Sequence, residues 1–163
     1  MRNIDINEFK KLLQIIKEYP NVRVGYFSDN KSPIPLIIKD YCNNKELEFV
    51  LNATTKDYYE EIKDIKEARY FNLDRPKYLL NGKFYDYFFV DCNINNKDSF
   101  LKKAHSTIKN GGLIIIFLNE TTKKEQKEWE ELLEKNYYVA TNKIEIDNKN
   151  SVLISRKMHG WGG

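Results

Sequence analysis

The sequence is poor in cysteine and histidine and contains no long apolar run. Its two cysteines, Cys42 and Cys92, lie far apart, and the two histidines add no cluster with metal-site spacing. This content excludes a disulfide framework and predicts a reducing, cytoplasmic location. No stretch approaches the roughly 18 apolar residues of a membrane span, and the N-terminus lacks the apolar core of a signal peptide. We therefore expect no membrane association.

Strong charge of either sign is also missing, because the net charge is only +3. Without a localised basic patch, such a charge does not favour nucleic acid as a partner. The lysine pairs Lys102-Lys103 and Lys123-Lys124 are explained most simply as solvated helix faces. With 163 residues, of which 41% are apolar and 31% charged, the chain has the size and composition of one globular domain.

Apolar periodicity predicts a helix, then a strand–helix unit repeated five times, and finally a β-hairpin. The predicted strands cover residues 21–27, 47–51, 69–73, 85–90 and 113–118, the predicted helices cover 5–19, 54–68 and 98–109 and begin near Pro33 and Thr122, and the hairpin joins 137–146 to 152–156. Such alternation predicts a parallel sheet with helices on both faces. Residues 1–157 would form this single domain, and residues 158–163 would form a separate tail.

Local signals predict where several elements begin and end. Asp5 with Glu8 resembles a capping box at the start of the first helix, and Pro20 would end that helix. Asn110-Gly111-Gly112 would end the helix after the fourth strand, since glycine accepts the left-handed conformation of a helix C-terminus. Asn81-Gly82 would form a turn before that strand.

Three segments resemble the class I S-adenosylmethionine-dependent methyltransferases. KFYDYFFVD at residues 83–91 resembles the fourth strand of that family, and FLKKAHSTIKNGGLIIIF at 100–117 resembles its following helix, glycine turn and fifth strand. The hairpin at 137–156 resembles its last two strands. The resemblance implies a doubly wound, mostly parallel sheet of order 3-2-1-4-5-7-6 with an antiparallel last strand. It also implies S-adenosylmethionine as cofactor and methyl transfer to an unidentified acceptor.

The donor loop departs from the pattern of this family, whose first strand leads into a GxGxG loop that approaches the methionyl part of the cofactor. Here the segment reads VRVGYFSDNKS, so the resemblance assigns cofactor contacts to Gly25, Tyr26, Phe27, Ser28 and Asp29. An acid normally ends the second strand and binds the ribose hydroxyls, and this sequence has Asn52 there. The loop is therefore degenerate.

The topology supplies further candidates, because ligands bind outside the carboxyl ends of the strands in open α/β sheets. Asn72 and Asp74 follow the third strand and would contact the cofactor. Asp91 ends the fourth strand and would orient or deprotonate the acceptor; the alternative is a helix cap or loop hydrogen bond. The alternative for Asp29 is a turn that holds the first loop.

Other residues carry separate hypotheses. Asp91 with Asn119 and Glu120 would suit magnesium or calcium if the three side chains converged. Cys92 is not expected to act as a nucleophile, since the neighbouring carboxylate raises the pKa of a thiol. His105 and Trp129 are expected to pack on helix faces.

Three functions remain open from the sequence. The first is a methyltransferase with an altered donor loop, and the second is a non-catalytic methyltransferase-like binding or assembly module. The third is an RNA-modifying or RNA-binding protein that uses basic helix faces. His159 and Trp161 in the tail are candidates for a dimer or protein-partner contact, because tryptophan is a frequent interface anchor.

Overall fold

The computed structural model describes residues 3–78, 83–119 and 123–158. The strands are Arg23–Ser28 (β1), Glu48–Ala53 (β2), Ala68–Tyr70 (β3), Tyr85–Asp91 (β4), Ile108–Phe117 (β5), Tyr138–Glu145 (β6) and Ser151–Lys157 (β7). The α-helices are Ile6–Leu12 (α1), Ile34–Asn44 (α2), Lys56–Ile62 (α3), Lys97–Thr107 (α4) and Lys123–Lys135 (α5). None of the helices in these ranges is long and apolar enough to cross a membrane.

The strands form one seven-stranded sheet of order β3-β2-β1-β4-β5-β7-β6. β1 to β5 are parallel, whereas β7 is antiparallel to both β5 and β6. The predicted order and the reversed last strand are therefore confirmed. The carboxyl ends of β1 to β5 meet at one edge of the sheet, here called the carboxyl edge. β7 ends at the opposite edge, called the amino edge, because Phe117 pairs with Val152 and Leu113 with Arg156.

Alternating side chains divide the interior into two apolar clusters, one on each face of the sheet. Along β1, Val24 and Tyr26 enter the cluster beneath α1, α2 and α3. Phe27 enters the other cluster, beneath α4 and α5, together with Phe88. Both faces are thus covered by helices, as expected for a parallel sheet whose strands are buried on both sides.

Besides α3, which stops at Ile62 and not at the predicted residue 68, two helices end earlier than predicted. The first α-helix stops at Leu12 and continues as a 3-10 turn only to Ile15, well before Pro20. Asp5 caps its start as predicted, accepting a hydrogen bond of 3.1 Å from the Glu8 amide.

The second early end is that of α4, at Thr107, so the prediction that Asn110-Gly111-Gly112 caps this helix is wrong. These residues lie inside β5, where the pairing register shifts between Tyr85 and Tyr87. Lys157 explains the early end, because its ammonium binds the carbonyls of His105 and Ile108 at 2.6 and 2.8 Å. The carbonyl of His105 in the last turn of α4 and that of the C-cap residue Ile108 are satisfied in this way, without a glycine cap.

The connection from β3 to β4 also differs from the expected repeat. Residues 71–78 and 83–84 of this connection contain no helix, so the strand–helix unit is incomplete at its third occurrence. The predicted turn at Asn81-Gly82, the start of the last helix at Thr122 and the tail at 159–163 lie outside the described residues. The predicted hairpin turn is present, since Asp147 accepts hydrogen bonds of 2.8 Å from the amides of Lys149 and Asn150.

Candidate functional site

Two adjoining cavities open at the carboxyl edge of the sheet. The first, called the β2–β4 cavity, has a volume of about 410 Å³ and receives side chains from the loops after β1, β2, β3 and β4. Its lining is Asp29, Thr54, Thr55, Asn72, Leu73, Asp74, Tyr78, Asn93, Ile94, Asn95, Asn96, Ser99, Phe100 and Lys103. This volume lies within the range of small-molecule and cofactor sites, roughly 300–1,000 Å³.

Helix starts and short turns hold the polar groups of the β2–β4 cavity in place. Thr55 caps α3 by accepting a hydrogen bond of 3.2 Å from the Tyr58 amide, and Asn96 caps α4 through the Ser99 amide at 3.0 Å. Asn72 accepts a hydrogen bond of 2.9 Å from the Asp74 amide. The predicted residues Asn72 and Asp74 therefore share one turn at the cavity wall.

The second cavity, called the β1–β5 cavity, has a volume of about 370 Å³. Its lining is Asn3, Asp29, Asn30, Lys31, Ser32, Asp91, Cys92, Asn93, Asn119, Lys149 and Asn150. Two parts of the chain that are far apart in sequence form one wall, because Asn150 donates a hydrogen bond of 2.8 Å to the carbonyl of Asn3. The turn between β6 and β7 thus completes the site together with the N-terminal segment.

Asp91 lies at the wall of the β1–β5 cavity, where the sequence predicted a rim carboxylate. Its Oδ2 accepts a hydrogen bond of 2.5 Å from the hydroxyl of Tyr26. Tyr26 is itself fully buried and packs against Phe89 and Phe117 at ring distances of 5.9 and 6.2 Å. A rigid aromatic core therefore orients a half-buried carboxylate, which is a proton-accepting and cation-binding group.

Asp29 lines both cavities and joins the loops after β1 and β4. Its Oδ2 accepts a hydrogen bond of 2.8 Å from the amide of Asn93. The turn of its own loop is held by Ser28, whose hydroxyl exchanges hydrogen bonds with the backbone of Asn30 at 3.0 and 3.3 Å. The carboxylate thus links two strand ends, a role that differs from the expected turn within one loop.

Gly25 lies within β1, three residues before the end of the strand. A Cβ at this position would stand only 2.5 Å from the ring of Tyr85. The missing side chain therefore leaves room for an aromatic ring of the core, and the backbone of this glycine does not line either cavity.

Phe27 likewise packs into the core and lines neither cavity. Its ring is fully buried and stacks on Phe88 at 4.2 Å, with Phe71 edge-on at 5.1 Å. Ser28 is 1% exposed and faces the other side of the sheet. The bulky residues at 26 and 27 consequently do not fill the crevice, although they stand where the family pattern has a small-residue loop.

Asn52 is placed in the core, where only 2% of the residue is exposed. Its side-chain amide donates a hydrogen bond of 3.3 Å to the hydroxyl of Tyr85. The side chain that was expected to bind ribose is therefore engaged inside the protein. Thr54 and Thr55 supply the polar groups after β2 instead.

The thiol of Cys92 is unsuited to nucleophilic chemistry. Burial is the main cause that raises its pKa above the ordinary value, and the carboxylates of Asp29 and Asp91 raise it further.

His105 lies near the C-terminal end of α4, at the amino edge, and its ring packs edge-on against Tyr138 at 5.3 Å. Trp129 is 3% exposed in the core. The expected packing roles of His105 and Trp129 are confirmed.

Asp91 and Asn119 both line the β1–β5 cavity, whereas Glu120 lies outside the described residues. Within residues 3–78, 83–119 and 123–158, no group of three or more His, Cys, Asp or Glu side chains is arranged to hold a metal ion.

The sequence analysis missed several lining residues. Thr54 and Thr55 directly follow β2, so the strand-end rule alone would have found them. Lys149 and Asn150 required the reversed strand, since antiparallel pairing brings the β6–β7 turn to the carboxyl edge. Tyr78 belongs to a connection without regular structure, where no periodic signal exists.

Comparison with known proteins finds similarity in structure alone. No protein-family model matches the chain, and no curated protein matches it in sequence. An S-adenosylmethionine-dependent O-methyltransferase from Thermotoga maritima superimposes with a TM-score of 0.74 at 8% identity, over 100% of this chain and 69% of that chain. A putative S-adenosylmethionine-dependent methyltransferase from Listeria monocytogenes gives 0.67 at 11% identity, over 93% and 97%. The CurJ carbon methyltransferase gives 0.69 at 11% identity, over 93% of this chain but only 52% of that chain.

Strand order, the reversed last strand and these superpositions agree. The chain has the Rossmann-like fold of the class I S-adenosylmethionine-dependent methyltransferases.

Proposed function

We propose that this protein binds S-adenosylmethionine at the carboxyl edge and transfers its methyl group to an acceptor that meets Asp91. The observation that carries the proposal is the convergence of four strand-end loops on the β2–β4 cavity, next to a second cavity that contains an oriented carboxylate. Fold alone does not establish an activity, so the proposal depends on these groups.

The lining of the β2–β4 cavity suits a nucleoside. Asn72, Asp74 and the two threonines after β2 offer hydrogen-bonding groups for hydroxyls and for a base. Tyr78 and Phe100 add aromatic surface. A ligand of this kind combines a flat ring with polar substituents, which matches a cavity with both kinds of lining.

The β1–β5 cavity is lined by the carboxylates of Asp29 and Asp91 and by the ammonium groups of Lys31 and Lys149. Its lysines suit the carboxylate of the cofactor, and its aspartates suit the cationic groups. When bound, S-adenosylmethionine would supply an electrophilic methyl group on a sulfonium centre. Asp91 would accept the proton of the acceptor, since Tyr26 holds its carboxylate at the cavity wall.

Calorimetry with S-adenosylhomocysteine and S-adenosylmethionine tests the binding. Asp74→Ala and Asn72→Ala should each weaken binding, by about tenfold for the charged group, which corresponds to about 1.4 kcal/mol. Asp64→Ala is the matched control, since this exposed aspartate follows α3 and lines neither cavity. Absence of binding at millimolar ligand by folded protein would refute the proposal.

A second function is favoured by the positions of Gly25 and Asn52. Tyr85 occupies the space beside the glycine and engages the asparagine, so both residues serve the core. This favours a methyltransferase-like binding module without catalysis. Methyl-labelled S-adenosylmethionine incubated with a small-molecule extract separates the two functions. Labelled product that Asp91→Asn abolishes supports the enzyme, and binding without any labelled product supports the module.

A further inference from the structure

A separate cavity of about 220 Å³ lies at the amino edge, on the opposite side of the sheet from the candidate site. Lys17 borders it from the segment after α1, and Arg156 from the end of β7. Asp86 and Tyr87 contribute the start of β4, and Gly111 and Gly112 contribute the irregular part of β5. We call it the amino-edge cavity. Its size suits an ion or a small group and is too small for a cofactor.

Hydrogen bonds and steric limits keep the walls of this cavity in place. The hydroxyl of Tyr87 donates to the carbonyl of Ile15 at 3.1 Å and accepts from the amide of Lys17 at 2.9 Å. A Cβ on Gly112 would lie 2.7 Å from a methyl carbon of Ile108, so a residue with a side chain does not fit here unless its neighbours shift. Gly111 has a φ of 79°, which also favours glycine. The cavity is therefore built into the fold.

Positive charge exceeds negative charge around the amino-edge cavity. The carboxylate of Asp86 is already engaged, since it accepts hydrogen bonds from the Lys109 ammonium at 2.9 Å and the Arg23 amide at 2.8 Å. By contrast, the ammonium of Lys17 has no ion-pair partner among residues 3–78, 83–119 and 123–158. Arg156 donates one hydrogen bond of 2.6 Å from its Nη1 to the carbonyl of Gly111. Its other N–H groups have no hydrogen-bond partner in the part of the chain that the structure describes.

A third cation stands close to the same opening. The ammonium of Lys83 binds the side-chain oxygen of Asn110 at 2.9 Å, and Asn110 lines the cavity. Lys17 and Arg156 in the lining, with Lys83 beside it, therefore outnumber the carboxylate of Asp86. The guanidinium fork matches phosphate geometry, and bonds between ionised groups are about twice as strong as neutral ones.

We propose that the amino-edge cavity binds a phosphate group, either free phosphate or the phosphomonoester end of a small ligand. Arg156 supplies the directional contact, Lys17 supplies a second charge, and the glycines of β5 form the floor. This site is separate from the candidate methyltransferase site and does not depend on S-adenosylmethionine binding.

Titration of ¹⁵N-labelled protein with inorganic phosphate and with phenyl phosphate at low salt tests the proposal. We expect saturable shifts of the Gly111 and Gly112 amide signals, together with those of neighbouring amides. Arg156→Gln and Lys17→Gln should each weaken binding by about tenfold, or about 1.4 kcal/mol, as expected for the loss of one charge-assisted contact. Tighter binding of phenyl phosphate would identify an ester, and equal or weaker binding would identify free phosphate.

Lys10→Gln is the matched control, because this exposed lysine lies on α1 and does not line the cavity. Arg156→Lys guards against misfolding, since it keeps the charge and should retain part of the affinity. The proposal is overturned if no signal saturates, if shifts map to the carboxyl edge, or if Lys17→Gln and Arg156→Gln bind phosphate as tightly as the wild type.

Discussion

The two edges of the sheet present opposite ends of the helices. At the carboxyl edge α3 and α4 begin, and their capping residues Thr55 and Asn96 line a polar cavity. At the amino edge α4 ends, and the buried ammonium of Lys157 binds two carbonyls there. Helix starts expose N–H groups and helix ends expose carbonyls. The loops at the carboxyl edge can therefore bind a ligand, whereas the carbonyls at the end of α4 are already bound by the ammonium of Lys157.

The largest effect that tests this comparison concerns Gly25, which lies on β1 between the two edges. Gly25→Val should destabilise the protein by about 3 kcal/mol, because the added atoms meet the ring of Tyr85. Urea unfolding measures this change. The residue would then act through packing, and not through contact with a cofactor.

A second substitution checks that interpretation. Tyr85→Leu removes the ring and should recover part of the stability of Gly25→Val in the double variant. If the single Gly25→Val variant is as stable as the wild type but loses S-adenosylhomocysteine binding, Gly25 belongs to the site and the packing role is wrong.

Lys157, at the amino edge, should make the stability of the protein depend on pH. Burial, with a smaller contribution from Lys83, lowers the pKa of Lys157 from 10.5 to about 8. Between these two values the unfolded chain binds more protons than the folded one, so stability rises with pH. The stability of the wild type relative to Lys157→Met should therefore increase from pH 8 to 10.5, by at most about 1.4 kcal/mol per pH unit.

Urea unfolding across this pH range measures the difference, and Lys127→Met on the exposed face of α5 is the control. A pH-independent difference between wild type and Lys157→Met would contradict the expected effect of burial.

Tyr26→Phe tests the hydrogen bond that holds the carboxylate of Asp91 at the carboxyl edge. It removes the hydroxyl that donates to Asp91 and should cost about 1.5 kcal/mol, the lower part of the range for bonds to charged groups. Denaturation gives the stability, and labelled methyl transfer gives the effect on function. Unchanged stability would mean that the bond contributes nothing to the fold.

Asp29→Ala should have the smallest effect, about 1 kcal/mol or less, because one partly exposed bond to the Asn93 amide is lost. Hydrogen exchange of that amide should become faster while the core amides stay protected. Unchanged exchange would show that Asp29 does not hold the two loops together.

Much of the fold was predictable because buried strands and amphipathic helices leave periodic patterns. The segment from Tyr85 to Asp91 is a strand as expected, and the hairpin and its turn at Asp147 are confirmed. The end of α4 was not predictable in the same way. It depends on Lys157, which is 50 residues away in sequence, so the local glycine signal was misleading.

Part of the site was predictable too. Asp29 directly follows β1, Asp91 ends β4, and Asn72 and Asp74 lie in the loop after β3, and all four line the cavities. Asn52 also stands near the end of a strand, yet it is buried. Strand-end position indicates the edge at which a residue lies, but the direction of its side chain depends on what packs against that face.

The sequence by itself determined the order of strands and helices and the carboxyl edge as the place for a crevice, because these follow from apolar periodicity and chain direction. Tertiary structure alone decided that Tyr85 fills the space at Gly25 and withdraws Asn52 from the crevice. It also joined the N-terminal segment to the β6–β7 turn as a cavity wall. These contacts connect residues far apart in the chain, and their geometry is set by packing, which leaves no local pattern in the sequence.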